Sequence, residues 1–147
     1  MIPMVTFSNF KISDVKEGQT FFFEVCISDK MIDDFATLTG DVSPLHMNRD
    51  FAFVRGFKDR VVHGALLSGL VSRLVGVHLP GSNCLLHSMN MRYLKPTYAG
   101  DHILIYGTID HVSVATKAIS VQIVITNINS QMIVSKGIVS LGFTEVV

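Results

Sequence analysis

"GALLSGLVSRLVGVHLP", residues 64–80, is the longest apolar stretch of the chain and carries Arg73 near its middle. It falls short of the roughly 20 residues that a membrane-spanning helix needs. Its apolar residues run almost all round a helical projection, the pattern of a helix surrounded by protein. The spacing predicts a helix over 64–77, followed by the loop "HLPGSN" at 78–83. The period then changes to two. "CLLHSMNMRYL" (84–94), "HILIYGTIDHVSV" (102–114), "KAISVQIVITNI" (117–128) and "MIVSKGIVSLGFTEV" (132–146) read as strands, with turns at Gly100-Asp101 and Asn129-Ser130. Upstream, "TFFFEVCI" (20–27) is rich in β-formers. One early strand, one helix and four long antiparallel strands define an α+β layout, a curved sheet wrapped around the helix. Ile/Val-rich edge strands of such a sheet invite pairing with a second copy.

The 147 residues show no repeat and no low-complexity linker, so a single domain over 1–147 is expected, with 1–19 as an irregular lead-in. Only 16% of residues are charged against 48% apolar, which implies that part of the surface is covered by another subunit. The formal net charge is zero and Lys and Arg form no run, which removes the electrostatic basis for binding nucleic acid or an anionic membrane. Cys26 and Cys84 lie far apart without CxxC spacing and read as free buried thiols, although two cysteines alone leave a disulfide open. "MIPMVTFSNFKISD" has neither a basic start nor a small-residue cleavage pattern, so a cytoplasmic protein is expected.

A second helix is predicted over 29–39, capped by Ser28 or Asp29 and ended by Gly40. Beyond it, "GDVSPLH" (40–46) places Asp41 and His46 on either side of Pro44, and a short helix can run from Asn48 into "FAF". Two uses fit the loop. Asp41 can bond nearby backbone amides as a turn residue while His46 packs blandly. Alternatively, carboxylate and imidazole can share one water, accept its proton and return one to a substrate. Pro44 fixes its own φ and pushes Ser43 toward extended geometry, which holds the loop in shape for either use.

His63-Gly64 stands where the apolar helix starts. First-turn amides have no intrahelical partner and carry the positive end of the helix dipole, so they suit a developing oxyanion. Gly64 would let a carbonyl approach, or simply permit tight packing. His63 reads as a residue that orients the loop or caps the helix. Ala65, Ser68, Gly69, Ser72 and Gly76 form a stripe of small residues, explained by sheet packing or by an acyl chain passing over it. Arg49, Arg55, Lys58 and Arg60 surround the motif loop as a solvated face or as contacts for phosphates or an acidic carrier. His78, His87, His102 and His111 form no HxH or HExxH pattern, so no metal site is expected. Neither a phosphate-cradling glycine loop nor a nucleophile elbow is present.

Together, "FATLTGDVSPLH" (35–46), "RVVHGALLSGLVSRLVG" (60–76), "LPG" (79–81) and "MRYLKPTYAGD" (91–101) resemble the MaoC-like, (R)-specific enoyl-CoA hydratases. The resemblance implies a hot-dog fold, usually paired as a homodimer or higher even oligomer, and reversible hydration of a trans-2-enoyl thioester. It implies that Asp41 and His46 hold the reacting water and that the Gly64 amide binds the thioester carbonyl. Ser43, Pro44, His63 and Ser72 are expected along the substrate. No cofactor or metal is implied beyond the coenzyme A or acyl carrier protein of the substrate itself. Ser43 replaces a usual Asn, and Asn48 a usual Asp. A hot-dog thioesterase generally needs a carboxylate on the long helix, and 64–77 has none. A catalytically silent or acyl-carrier-protein-dependent acyl-thioester binding module is the other reading.

Overall fold

Alternation along the strands builds the core. The computed structural model describes residues 6–146; positions 1–5 of the lead-in, and residue 147, lie outside the described residues. β1 (Thr20–Cys26), β2 (Cys84–Tyr93), β3 (His102–Ser113), β4 (Ala118–Asn127) and β5 (Met132–Phe143) form one antiparallel sheet in the order β1-β3-β4-β5-β2. Ile105 pairs with Ile125 and Val121 with Val139, so the inward rows of neighbouring strands meet. Ile103, Ile105, Ile109, Val121, Ile123, Ile125, Val139 and Leu141 are all buried. This is the expected hot-dog architecture.

The helix in its concave face is α4 (Gly64–Arg73), continued by a π-helical turn over Leu74–His78. Leu67, Leu70, Val71, Leu74 and Val75 are buried against the sheet. The helix is not surrounded, however. Ala65, Gly69, Ser72 and Gly76 are exposed, and a Cβ added at Gly69 or Gly76 would meet nothing within 4 Å. The small stripe therefore does not serve sheet packing, because the larger residues own the buried face.

Ahead of α4 lie α1 (Asp29–Thr39), α2 (Pro44–Met47) and α3 (Arg49–Val54). Ser28 caps α1, its Oγ accepting from the Met31 amide at 3.2 Å. Gly40 ends it at φ +76°, a left-handed conformation costly for other residues, with its amide donating to Ala36 at 2.8 Å. Pro44 begins the one-turn α2, which the periodicity does not reveal; its fixed φ suits the first helical position. Asn48 Oδ1 accepts from the Phe51 amide at 2.9 Å, so it caps α3 as an Asp would. Both cysteines are free, but Cys26 is exposed rather than buried, and burial raises the pKa of the half-buried Cys84 thiol. Among the described residues no helix is long and apolar enough to cross a membrane.

Candidate active site

The C-terminus of α1 shapes the motif loop. The Thr39 hydroxyl donates to the Phe35 carbonyl at 2.7 Å and accepts from the Asp41 amide at 3.2 Å. The Ser43 amide donates to Asp41 Oδ1 at 3.3 Å, and the Ser43 carbonyl accepts from the His46 amide at 2.9 Å. These bonds fix the two backbones that carry the carboxylate and the imidazole.

A third segment orients the ring. His46 Nδ1 lies 2.6 Å from the Val61 carbonyl oxygen, while the Val61 amide donates to Leu45 at 3.1 Å. Val62 in turn donates to the Thr97 carbonyl at 2.8 Å, stitching residues 61–62 to the end of the 94–97 loop. A carbonyl can only accept, so Nδ1 carries a proton, and in the neutral ring Nε2 is the lone pair left to take a substrate proton. His63 is 1% exposed, and its Nε2 donates to the Asp41 carbonyl at 3.0 Å. Its ring stacks on His46 at 3.9 Å, and Phe35 packs against it at 4.8 Å.

A carboxylate oxygen of Asp41 and one nitrogen each from His46 and His63 lie within 4.8 Å of one another. One water making two hydrogen bonds of about 2.8 Å spans roughly 4.6 Å, so the spacing suits a shared water. The same atoms form a cation-donor set by type. Two of the four ring nitrogens, His46 Nδ1 and His63 Nε2, are already engaged by the Val61 and Asp41 carbonyls, and the two imidazole planes are inclined by 28°.

At the start of α4, neither the Gly64 nor the Ala65 amide donates a hydrogen bond among the described residues. A cavity of about 290 Å³ joins this end to His46; Val62, Leu67, Tyr93, Lys95 and Thr97 are among its walls. Asp41 stands beside His46 rather than in the cavity wall. The expected substrate residues are not gathered there: Ser43 and Pro44 are exposed at the cap and first position of α2, His63 is buried behind His46, and Ser72 is exposed further along α4. Tyr93 and the Val61 carbonyl carry no motif signal of their own. Tyr93 does lie inside "MRYLKPTYAGD", and its packing onto Gly64 appears only once β2 crosses the helix start: a Cβ at Gly64 would sit 3.0 Å from its ring.

The basic cluster is largely spent internally. Arg60, 7% exposed, donates to Asp33 at 2.7 Å and Asp29 at 2.6 Å, and Arg49 bridges Asp29 at 2.9 Å and Asp59 at 3.0 Å. The Arg60 hydrogen bond holds the Asp29 carboxyl below its usual range, with Arg49 adding to the effect; both acids raise Arg60. Arg55 lies over Phe51 and Lys58 over Tyr98, each at 4.6 Å.

A helix cradled in a five-stranded antiparallel sheet, with a loop carboxylate and imidazole at its N-terminus, defines a hot-dog domain. The MaoC-like domain model matches residues 13–131, and the chain belongs to that family. It is 36% identical over 90 residues to an (R)-specific enoyl-CoA hydratase of Rhodospirillum rubrum, covering 61% of this chain and 62% of that protein. It is 33% identical over 88 residues to a 3-hydroxybutyryl-CoA dehydratase of Methylorubrum extorquens, covering 60% and 56%. The match thus spans about three-fifths of the length of these curated relatives. In fold, the chain superposes on the unliganded R-hydratase PhaJ1 of Pseudomonas aeruginosa with a TM-score of 0.85 at 22% identity, covering 94% of this chain and 88% of that one.

Proposed function

We propose that this protein is an (R)-specific enoyl-CoA hydratase, a hydro-lyase that reversibly adds water across the double bond of a trans-2-enoyl thioester. The observation that carries the reading is that Asp41 stands beside His46, while His46 and the start of α4 at Gly64 line one cavity. The thioester carbonyl accepts from the Gly64 amide, which lowers the energy of enolate charge on that oxygen. A water held by Asp41 and His46 attacks the β-carbon and gives up one proton to the pair. The C–O bond forms as the carbon–carbon π pair moves toward the carbonyl, and the α-carbon then takes a proton from the pair. Water is divided between the two carbons, no thiol leaves, and dehydration is the same path reversed. The two curated relatives reported above bear names of this reaction class.

Coenzyme A or an acyl carrier protein enters as part of the substrate, and no metal or other cofactor takes part. The proposal includes a cytoplasmic homodimer. The free edge of β2, with Leu85 57% exposed and Leu86 38%, is the surface a second copy would pair with. Hydration removes conjugation between olefin and thioester, so the ultraviolet absorbance of crotonyl-CoA should fall with no free thiol. Thiol release would instead indicate a thioesterase. Unchanged absorbance across short, medium and branched enoyl thioesters of both carriers would leave a silent binding module.

A further inference from the structure

His63 touches every part of the site without lining the cavity. Its backbone begins α4: the Leu66 amide donates to its carbonyl at 3.0 Å, and Gly64 follows it directly. Its Nε2 donates to the Asp41 carbonyl at 3.0 Å. Its ring packs on the His46 imidazole at 3.9 Å and on Phe35 at 4.8 Å. One side chain thus holds the main chain of the acid and supports the ring of the base, from the residue that precedes the oxyanion amide.

Stability alone is a poor reason for an imidazole here. His63 is 1% exposed, and its Nδ1 is buried with no hydrogen-bond partner among the described residues. Bare, that nitrogen is an unpaired acceptor; protonated, it is an unpaired donor on a charged ring. Either is unfavourable away from water. A phenyl ring of similar shape would fill the place without that defect. The Asp41 carbonyl that it released belongs to an exposed residue, where water can replace the lost donor. What the imidazole adds over a phenyl ring is the bond to Asp41.

We propose that His63 is a positioning residue for the acid/base pair, its hydrogen bond placing Asp41 and its ring fixing the plane of His46. This rests on the hydratase reading and adds to it the residue that keeps the pair at the spacing of one shared water. One polar atom each of Asp41, His46 and His63 lies within 4.8 Å of the others, which leaves little slack. A misplacement of about 1 Å is enough to lose about 10²-fold in rate.

The test separates the two contacts. His63→Phe keeps a ring against His46 and loses the donor; His63→Gln keeps a donor and loses the ring; His63→Leu loses both. For crotonyl-CoA, kcat per folded molecule should fall by about 10²-fold in His63→Leu and by less in the other two, with KM within about threefold of wild type. His63→Phe should melt no lower than wild type, because the unpaired nitrogen is gone. Normal kcat per folded molecule in His63→Leu overturns the proposal, whether or not the melting temperature falls, since His63 would then be structural or idle. A His63→Phe that melts far below wild type overturns the argument that the imidazole is kept for the site. If wild type hydrates no enoyl thioester, the hydratase reading falls. The nitrogen NMR spectrum of the His46 ring then decides the positioning. A single Nδ1–H tautomer in wild type that becomes a mixture in His63→Leu sustains it, and any other pair of spectra removes it.

Discussion

Replacing Arg60 by Ala should destabilise the protein by about 3 kcal/mol, and the loss should fade in acid. Arg60 is buried, sits immediately before the residue whose carbonyl holds His46, and ties that segment to the first turns of α1 through Asp29 and Asp33. A hydrogen bond to a charged group contributes about 1.5–3 kcal/mol. Two are lost, but Asp29 and Asp33 are half exposed and regain water, which selects the lower end of that range. For a domain of this size the Tm should fall by roughly 6–12 °C. Asp29's folded pKa lies below its unfolded value of about 3.9, so its share of the stability is complete above that pH. As pH falls through the lower folded value the carboxyl protonates and that share disappears. Urea unfolding of wild type and Arg60→Ala at pH 7 and pH 3 should therefore show a gap that narrows at pH 3. A gap below about 1 kcal/mol at pH 7, or one equal at both pH values, would refute the account of Arg60 as a charged clamp.

At the loop, Asp41→Asn and His46→Gln should each lower kcat by about 10²–10⁴. Asp41 is exposed, so its variant should unfold within about 1 kcal/mol of wild type; progress curves and denaturation on the same preparations check both. Gly64→Val brings a side chain against the Tyr93 ring, which can swing outward, so the rate should fall by about 10²–10³ while stability changes by about 1 kcal/mol. A large melting shift with a normal rate would make that glycine structural only. Asn48→Ala removes the α3 cap and should cost about 1 kcal/mol in thermal unfolding, whereas Asn48→Asp should be near neutral. Equal losses in the two would discard the capping role.

Strands β1–β5, helix α1 with its Gly40 stop, and the nearness of Asp41 to His46 are legible in the chain because each depends on neighbours a few residues apart. Period-two alternation exposes a strand's buried face in any context, and five residues with a proline among them keep two side chains in reach. The remainder lies in contacts between distant segments. Val61 sets the tautomer of His46 from fifteen residues away, Tyr93 reaches Ser68 across twenty-five, and Arg60 consumes charges that the sequence leaves free for a ligand. The small stripe of α4 shows the same division. Helical spacing determines that Ala65, Gly69, Ser72 and Gly76 share a face, but only packing decides that Leu67, Leu70 and Val71 take the sheet and leave that face open. Burial is won by the side chains with most apolar area, and which partner they meet is set by the register and curvature of a sheet assembled from strands on both sides of the helix in sequence.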